Sequence, residues 1–320
     1  MDQLREETLI SRRERRRREV RRRRLIAGAV LAVLALAAAG VVIGSSGSRG
    51  SPSAGAAKGV PRDTGAPGTT RSAPKAVRDG PPGTTPVPIL MYHVIAAPPA
   101  GAPFPGLYVP PQEFEEQMHA LRSAGWHAVT LDQVRAYWLH GTPLGPGRPI
   151  VVSFDNGYQS QYTKALPVLR SMGWVGDENI QLSGLPPSQG GLGSDEVRGL
   201  IAAGWELDTQ GISHADLITL DPQQLAYQVA YARRVLQQRY HVPVNWFCYP
   251  SGHYDDAVVD EVRAAGFVGS TTVVPGWAAP GDDPYRLHRL RVLGGTSGAA
   301  LLQLIDGTRG EGPAPDSYDG

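Results

Sequence analysis

One junction recurs four times in this chain: a helix-forming stretch ends in glycine, an aromatic residue follows, and an extended apolar segment begins. The four copies read SAGW, SMGW, AAGW and AAGF, with glycines at positions 125, 173, 204 and 266. Glycine adopts the left-handed conformation after a helix without the steric penalty of a Cβ atom. The aromatic residue can then pack beneath the helix. We therefore interpret Trp126, Trp174, Trp205 and likewise Trp246 as core residues rather than as platforms on which a ligand stacks.

Strand candidates alternate with the predicted helices. They are VPILMYH (87–93), PIVVSFD (149–155), GWELDTQ (204–210), VNWFCYP (244–250), FVGSTTV (267–273) and YRLHRLRV (285–292). The alternation predicts a parallel sheet, and an α/β barrel over residues 86–305 is the expected architecture. In such barrels the chemistry takes place at the C-terminal ends of the strands. The polar residues that fall there are His93, Asp155, Asp208, Gln210 and Tyr249, the last followed by Pro250.

An uncharged stretch of twenty residues, 25–44, follows a segment, 1–24, that holds eleven arginines and five acidic residues. A helix of that length spans about 30 Å, the thickness of the hydrocarbon layer of a membrane. We expect a single-pass transmembrane helix, with the arginines in the cytoplasm and the barrel outside the cell membrane. Cleavage as a signal peptide, for which Ala37, Ala38 and Ala39 offer small residues, is the alternative.

Composition and charge limit the classes of partner to expect and indicate the nature of the flanking segments. The net charge of +1 gives no reason to expect nucleic acid, and the arginine block directly precedes the predicted span. The single cysteine, Cys248, can form no internal disulfide and is interpreted as a small buried apolar residue. Residues 45–85 are dominated by Gly, Ser, Pro, Ala and Thr and predict a disordered linker, and residues 306–320 predict a disordered tail.

Several short motifs occur in order across residues 86–295. They are PILMYH, which ends at His93; SFDNG, with Asp155 and Asn156; TQGISHADL, with Gln210 and His214; FCYPSGHYD, with Tyr249 and Pro250; and the closing DPYRLHRLRV. Together they resemble the polysaccharide deacetylases of carbohydrate esterase family four, in the branch whose catalytic motifs are permuted toward the N-terminus. The resemblance implies a distorted (β/α) barrel with fewer than eight units.

The resemblance also implies a chemistry. The family removes acetyl groups from N-acetylated sugars or O-acetylated xylan with a divalent metal, often zinc, held by one Asp and two His. By resemblance Asp155 matches the general base, His93 the general acid and His214 the second metal-binding histidine. Asn156 stands where the metal-binding Asp is expected, and Gln210 where the first metal-binding His is expected. Tyr249 and Pro250 belong to the substrate region, and the arginine that many members carry just before that proline is absent.

Two amides at ligand positions weaken the predicted zinc site, because a neutral amide oxygen binds zinc poorly beside carboxylate or imidazole. We expect weak zinc binding or none. Asp208 points to the same side of an extended segment as Gln210 and could supply a substitute carboxylate, although orienting a neighbour or capping a loop is the preferred interpretation. We interpret His253 as a surface loop residue and assign no role to His288.

These residues are consistent with two functions. The first is a membrane-anchored carbohydrate N-deacetylase that hydrolyses the acetamide of an N-acetylated wall or surface polysaccharide with altered or low activity. The second is a non-catalytic protein that binds or scaffolds the same glycan. Acid–base help from Asp155 and His93 alone, about 10²–10⁴-fold, is too small to make amide hydrolysis measurable without a metal. A metal assay therefore separates the two functions.

Overall fold

In the part of the chain that the structure describes, the fold is built on eight strands: β1 (Ile89–Tyr92), β2 (Trp126–Ala128), β3 (Arg148–Asn156), β4 (Asp177–Ile180), β5 (Glu206–Thr209), β6 (Trp246–Cys248), β7 (Gly269–Thr271) and β8 (Leu290–Arg291). They form one sheet in the order β7-β6-β5-β4-β3-β1-β8, with β2 beside the first residues of β3. Every pair of neighbouring strands is parallel. The predicted parallel sheet is therefore confirmed.

The computed structural model describes residues 80–183, 185, 190–310 and 312–320, which belong to a compact unit over Ala76–Gly320. The predicted arginine-rich segment, the predicted membrane span and most of the predicted linker lie outside these residues. Among the helices of the described part, none has both the length and the apolar character that crossing a membrane requires.

The sheet curls because the segment 287–291 contacts both of its ends. The Leu287 carbonyl accepts a hydrogen bond from the backbone N–H of Thr272, just past β7, at 2.9 Å. Leu290 of β8 pairs in register with Leu90 of β1 at the other end of the sheet. The result is a curled α/β half-barrel, which is consistent with the predicted distorted (β/α) barrel.

Helices cover the outer face of the sheet. They are α1 (Pro111–Ser123), α2 (Leu131–His140), α3 (Leu166–Ser171), α4 (Ser194–Ala202), α5 (Pro222–Ala226), α6 (Ala232–Tyr240), α7 (Asp256–Ala264) and α8 (Gly298–Gly307). A π-helical turn over Gln161–Ala165 precedes α3, and another over Tyr227–Tyr231 joins α5 to α6.

Aromatic contacts contribute to the hydrophobic core between the sheet and the helices. Phe154 of β3 stacks on Trp205 with ring centroids 4.9 Å apart, a contact worth about 0.5–1.5 kcal/mol beyond area burial.

Local signals set the helix boundaries. At the start of α2 the Thr130 hydroxyl accepts the backbone N–H of Gln133, whose side chain accepts the backbone N–H of Thr130. This capping box satisfies two N–H groups that have no partner within the helix. Asp221 caps α5 by accepting the backbone N–H of Gln224 at 2.8 Å.

The four glycine junctions are confirmed. The glycines at 125, 173, 204 and 266 have φ angles of 81°, 70°, 86° and 86°, in the left-handed region. The four tryptophans assigned to the core are all buried, with at most 7% of each exposed.

The structure also differs from the sequence-based expectation at four places. Strands β2 and β4 were not among the predicted segments; β4 reads DENI and has no apolar pattern. The last residues of the predicted linker pack on α2, where the N–H of Gly83 donates to the Tyr137 carbonyl at 2.9 Å. The predicted disordered tail is wrong in its described part. It begins within α8, and further on Tyr318 forms an antiparallel bridge with Tyr254.

Candidate functional site

Asp155 and Arg289 form a buried ion pair at the centre of the site. Asp155 is the penultimate residue of β3, and Arg289 lies in the segment that closes the sheet. Nη1 of the guanidinium lies 2.7 Å from Oδ1 of the carboxylate, and Nη2 lies 2.9 Å from Oδ2. The side chain of Asp155 is 2% exposed and that of Arg289 is 0% exposed. Two parallel charge-assisted hydrogen bonds fix the plane of the carboxylate as well as its charge.

Neighbouring groups complete the surroundings of this carboxylate. The Asn179 amide donates to Asp155 Oδ1 at 3.0 Å, and Cys248 Sγ lies 3.5 Å from Oδ2. Burial by itself raises the pKa of Asp155, but the charge and hydrogen bonds of Arg289 outweigh burial and lower the pKa to about 2. Asp155 is therefore ionised at neutral pH. Burial raises the pKa of the Cys248 thiol to about 12, which keeps it protonated and agrees with its interpretation as a small buried residue.

His93 lies beside Asp155. Its Nε2 atom is 4.0 Å from Asp155 Oδ2, which is too long for a hydrogen bond. The Gln161 amide donates to the carbonyl of His93 at 2.9 Å and to the carbonyl of Asp155 at 2.8 Å, so one side chain holds both backbones together. Burial lowers the pKa of His93 to about 4. The imidazole is consequently neutral at pH 7 in this state.

His214 lies in the loop that follows β5, in a left-handed conformation with a φ of 52°. The loop is held by Gln228, whose side-chain oxygen accepts the N–H groups of Ile212 and Ser213 at 3.1 and 3.0 Å. Burial lowers the pKa of His214, and the negative charge of Asp155 acts in the opposite direction. His214 thus lies in the loop at the C-terminal end of β5, where the charge of Asp155 acts on it.

At the expected ligand positions, the side chain of Gln210 bonds to the backbone of Asn156, and the side-chain amide of Asn156 bonds to that of Gln181. The Gln210 side-chain oxygen accepts the backbone N–H of Asn156 at 3.1 Å. The Asn156 amide donates to Gln181 Oε1 at 2.8 Å, and the Gln181 amide donates to the Ser183 carbonyl at 2.7 Å. Gln210 therefore directs its oxygen at the backbone, which leaves its NH₂ group, a donor, on the other branch of the amide.

Asp208, the candidate substitute ligand, is held below this level of the barrel. Its Oδ1 accepts the backbone N–H of Trp246 at 2.8 Å. Its carboxylate is grouped with those of Asp177 and Glu206, all within 4.8 Å of one another. The structure thus places Asp208 with two other acids instead of with His214.

The remaining candidate residues occupy the third motif and the closing segment. Tyr249 is buried and donates its hydroxyl to the Tyr285 carbonyl at 2.9 Å, and Pro250 begins a short helical turn. The interpretation of His253 as a surface residue is wrong. It is 8% exposed, and its Nδ1 lies 3.0 Å from Asp216 Oδ1, because the folded tail covers this loop. His288 is buried, with Nδ1 3.8 Å from Asp282 Oδ2.

Three residues of the site were not found from the sequence: Arg289, Asn179 and Gln161. A signal existed for the first. The third motif lacks the arginine that the resemblance leads one to expect just before Pro250, and Arg289 lies between Leu287 and Leu290 in a segment predicted to be a strand. A charge in such a segment needs a partner of opposite sign. Nothing comparable marks Asn179 or Gln161, whose partners lie on other elements.

The arrangement defines a class: a curled α/β barrel with an ionised acid and two histidines at the C-terminal end of its strands. Residues 144–270 match the family described as polysaccharide deacetylase. The chain is 28% identical over 221 residues to YxkH of Bacillus subtilis (strain 168), whose name describes it as a polysaccharide deacetylase; the match covers 69% of this chain and 76% of the relative. Residues 144–270 of this chain therefore carry a domain that matches the polysaccharide deacetylase family.

Two further similarities refine the comparison. A stretch of 59 residues, 18% of this chain and 9% of the relative, is 41% identical to the poly-beta-1,6-N-acetyl-D-glucosamine N-deacetylase of Escherichia coli (strain K12). The fold resembles that of Streptococcus pyogenes deacetylase PplD in complex with acetate. That comparison has a TM-score of 0.63 and 22% identity, and it covers 69% of this chain and 99% of that one.

The family is generally metal-dependent, so the residues at the ligand positions bear on activity. His214 supplies an imidazole, and Asn156 and Gln210 supply neutral amides. The Gln210 oxygen is directed at a backbone N–H, and both oxygens of Asp155 are held by Arg289. These positions thus offer one imidazole and two neutral amides, whereas protein zinc sites are built from anionic and imidazole ligands, with an open position in catalytic sites.

Proposed function

We propose that this domain binds N-acetylated polysaccharide at the C-terminal ends of its strands and has low or no zinc-dependent deacetylase activity. One observation carries the proposal. The side-chain oxygen of Gln210 is not directed at the expected metal position, because it accepts the backbone N–H of Asn156 at 3.1 Å. The free NH₂ group of such an amide suits a carbonyl acceptor, such as the acetamide of an N-acetylated sugar, better than a cation.

The substrate class rests on the family and on one relative. Polysaccharide deacetylases act on acetylated polysaccharides, and the E. coli relative that matches over 59 residues is named for poly-N-acetylglucosamine. The name of that relative favours an N-acetylated glucosamine polymer as the first ligand to test. Because the shared stretch is short, the match goes no further than this choice.

Residual hydrolysis is the second candidate, and the ion pair of Asp155 and Arg289 favours it. The pair keeps the candidate base ionised and oriented, with a neutral His93 4.0 Å away. Asp155 is ionised and so able to accept a proton from water, but a pKa of about 2 makes it a weak base, because a general base works best when its pKa lies near the working pH. Without a metal to polarise the acetamide carbonyl, that contribution leaves hydrolysis slow.

The zinc content of the purified full-length chain tests the proposal. We expect less than one zinc per chain and a melting temperature that changes by less than about 1 °C with a chelator selective for zinc over Ca²⁺ and Mg²⁺, since neutral ligands give little zinc-binding free energy to lose. We expect an N-acetylglucosamine oligomer to bind equally with and without chelator, as measured by calorimetry, and to release no acetate. The variant Gln210→Ala, which removes the free amide, should bind the oligomer more weakly. Tight one-to-one zinc together with acetate release would overturn the proposal.

We also propose that residues 25–44 anchor the chain in the cell membrane, with the domain outside the cytoplasm. The support is the arginine-rich segment that precedes an uncharged stretch of twenty residues.

Protease added to intact spheroplasts should remove the domain, as detected by an antibody against it, while a cytoplasmic marker protein stays whole. The alternative of cleavage after the apolar stretch predicts a domain released into the medium before any protease is added. A domain that survives until the cells are lysed contradicts both.

A further inference from the structure

Three acidic side chains meet inside the barrel, below the level of Asp155. Asp177 begins β4, and Glu206 and Asp208 lie on the adjacent strand β5. Their carboxylates each offer one oxygen within 4.8 Å of the others. Asp177 pairs in register with Glu206, and Asp208 follows Glu206 by two residues, so all three side chains project from the same face of the sheet.

The main chain orients each carboxylate in the same manner. One oxygen of each accepts a backbone N–H at 2.8 or 2.9 Å; the donors belong to Leu131, Asp132 and Trp246. The second oxygen of each, Asp177 Oδ1, Glu206 Oε1 and Asp208 Oδ2, has no hydrogen-bond partner within the described residues. Asp177 and Asp208 are 0% exposed, so for these two water does not replace the missing partner.

A fourth oxygen, from a different kind of side chain, faces the same space. Asn179 is 0% exposed and pairs in register with Asp155 on one side and with Asp208 on the other. Its NH₂ group donates to Asp155, so its oxygen lies on the opposite branch of the amide, toward Asp208. That oxygen also has no hydrogen-bond partner among the described residues. A buried acceptor aimed at a carboxylate is repelled unless something positive lies between them.

No positive side chain supplies that charge. Within residues 80–183, 185, 190–310 and 312–320, no Lys, Arg or His forms an ion pair with Asp177, Glu206 or Asp208. A fourth acid, Asp132, stands nearby and adds negative charge, although its own oxygens accept the side-chain N–H groups of Asn245 and Trp246. Buried carboxylates without a counter-charge are costly, because desolvation of each ion amounts to several kcal/mol.

We propose that the oxygens of Asp177, Asn179, Glu206 and Asp208 form a structural site for a hard divalent cation of the Ca²⁺ or Mg²⁺ class. An all-oxygen set of three carboxylates and one amide is the chemistry that these ions prefer. The proposed ligands do not include Asn156, Gln210 or His214, and Asn179 is the one side chain that also contacts the candidate base Asp155. A cation here joins β4, β5, β6 and the start of α2, so its effect is on stability rather than on the reaction.

The test uses the full-length chain, freed of metal with a chelator and then titrated with Ca²⁺ and, separately, Mg²⁺. We expect one equivalent of one of these ions to bind by calorimetry and elemental analysis. Saturation should raise the melting temperature by about 5 °C, as expected for a ligand at about 100 times its Kd on a domain of this size. The variants Asp177→Asn and Asp208→Asn should lose at least tenfold in cation affinity and most of the thermal shift.

Two matched variants keep the test specific. His214→Ala alters the position where the family holds its metal, and Asp195→Asn removes an acid whose side chain is 100% exposed; both should bind the cation as the wild type does. If Asp177→Asn fails to fold, Glu206→Gln replaces it, because Glu206 is the least buried of the three acids. The proposal is overturned if the wild-type chain binds neither ion and is stabilised by neither. Protons shared between the carboxylates would then be what holds the three acids together. Unchanged cation affinity in the Asp208→Asn variant places the cation elsewhere and overturns it equally.

Discussion

Replacing Arg289 with Met is expected to lower the free energy of unfolding by about 3–5 kcal/mol, the cost of leaving one partner of a buried ion pair without the other. Methionine keeps most of the volume but removes both hydrogen bonds to Asp155, at 2.7 and 2.9 Å, and the bond to the Thr272 carbonyl. Urea denaturation of the full-length chain measures the change. Arg263→Met, in an exposed pair with Asp260, serves as the control and should cost less than about 1 kcal/mol.

The double variant Arg289→Met with Asp155→Asn identifies the cause. If the uncompensated carboxylate is responsible, removing its charge should recover part of the loss, so that the double variant is more stable than Arg289→Met alone. If the loss comes only from packing around the arginine, Asp155→Asn should add to the damage instead. That second result would show that the ion pair is not what stabilises this end of the barrel.

The same pair predicts how stability changes in acid. The pKa of Asp155 is lowered to about 2 in the folded state, against about 3.9 in an unfolded chain. A lowered folded-state pKa contributes stability that is present above pH 4 and is lost as the pH falls from about 4 toward 2. Unfolding of wild type and of Arg289→Met, followed between pH 6 and pH 2.5, should show this loss in the wild type only. Equal slopes in the two proteins would argue against the ion pair as its source.

The double substitution Asn156→Asp with Gln210→His is expected to create zinc binding where the wild type has little. It returns one negative charge and one imidazole beside His214, so a three-ligand site with an open position for water becomes available. We expect zinc affinity to rise by at least 100-fold, since even the loss of groups that only support ligands costs about 10–100-fold. Calorimetry measures the affinity, and acetate release from an N-acetylglucosamine oligomer measures activity.

Two features of the structure limit the recovery. Gln210→His removes the hydrogen bond that the side chain of Gln210 makes to the backbone of Asn156. The next residue, Gly211, has a φ of 87°, a conformation that is strained for residues other than glycine. The single variants Asn156→Asp and Gln210→His are the matched controls, and each should bind zinc less tightly than the pair. Tight zinc without acetate release would indicate that His93 or the sugar-binding surface has also changed. Failure to bind zinc at all would show that these two positions are not the ligand positions.

The order of the motifs and the alternation of strands and helices could be read from the sequence. Glycine followed by an aromatic residue is a local signal, because the left-handed conformation after a helix depends only on neighbouring residues. Asp155 could be placed for the same reason: the apolar run Ile150, Val151 and Val152 predicts a buried strand, and the acid follows at its C-terminal end. Six of the eight described strands overlap a segment predicted from the sequence.

Tertiary structure alone decided which polar groups meet. Strand β4 carries Asp177 and Asn179 into the interior of the barrel, where they face acids from β5, so its sequence has none of the apolar pattern that marks a strand. Arg289 reaches Asp155 across 134 positions of sequence, and no rule of local spacing links the two. The orientation of the Gln210 amide likewise depends on a backbone N–H of another strand. Hydrophobic periodicity reports the face that a residue presents, whereas the partner of a buried charge is fixed only when the sheet curls and closes.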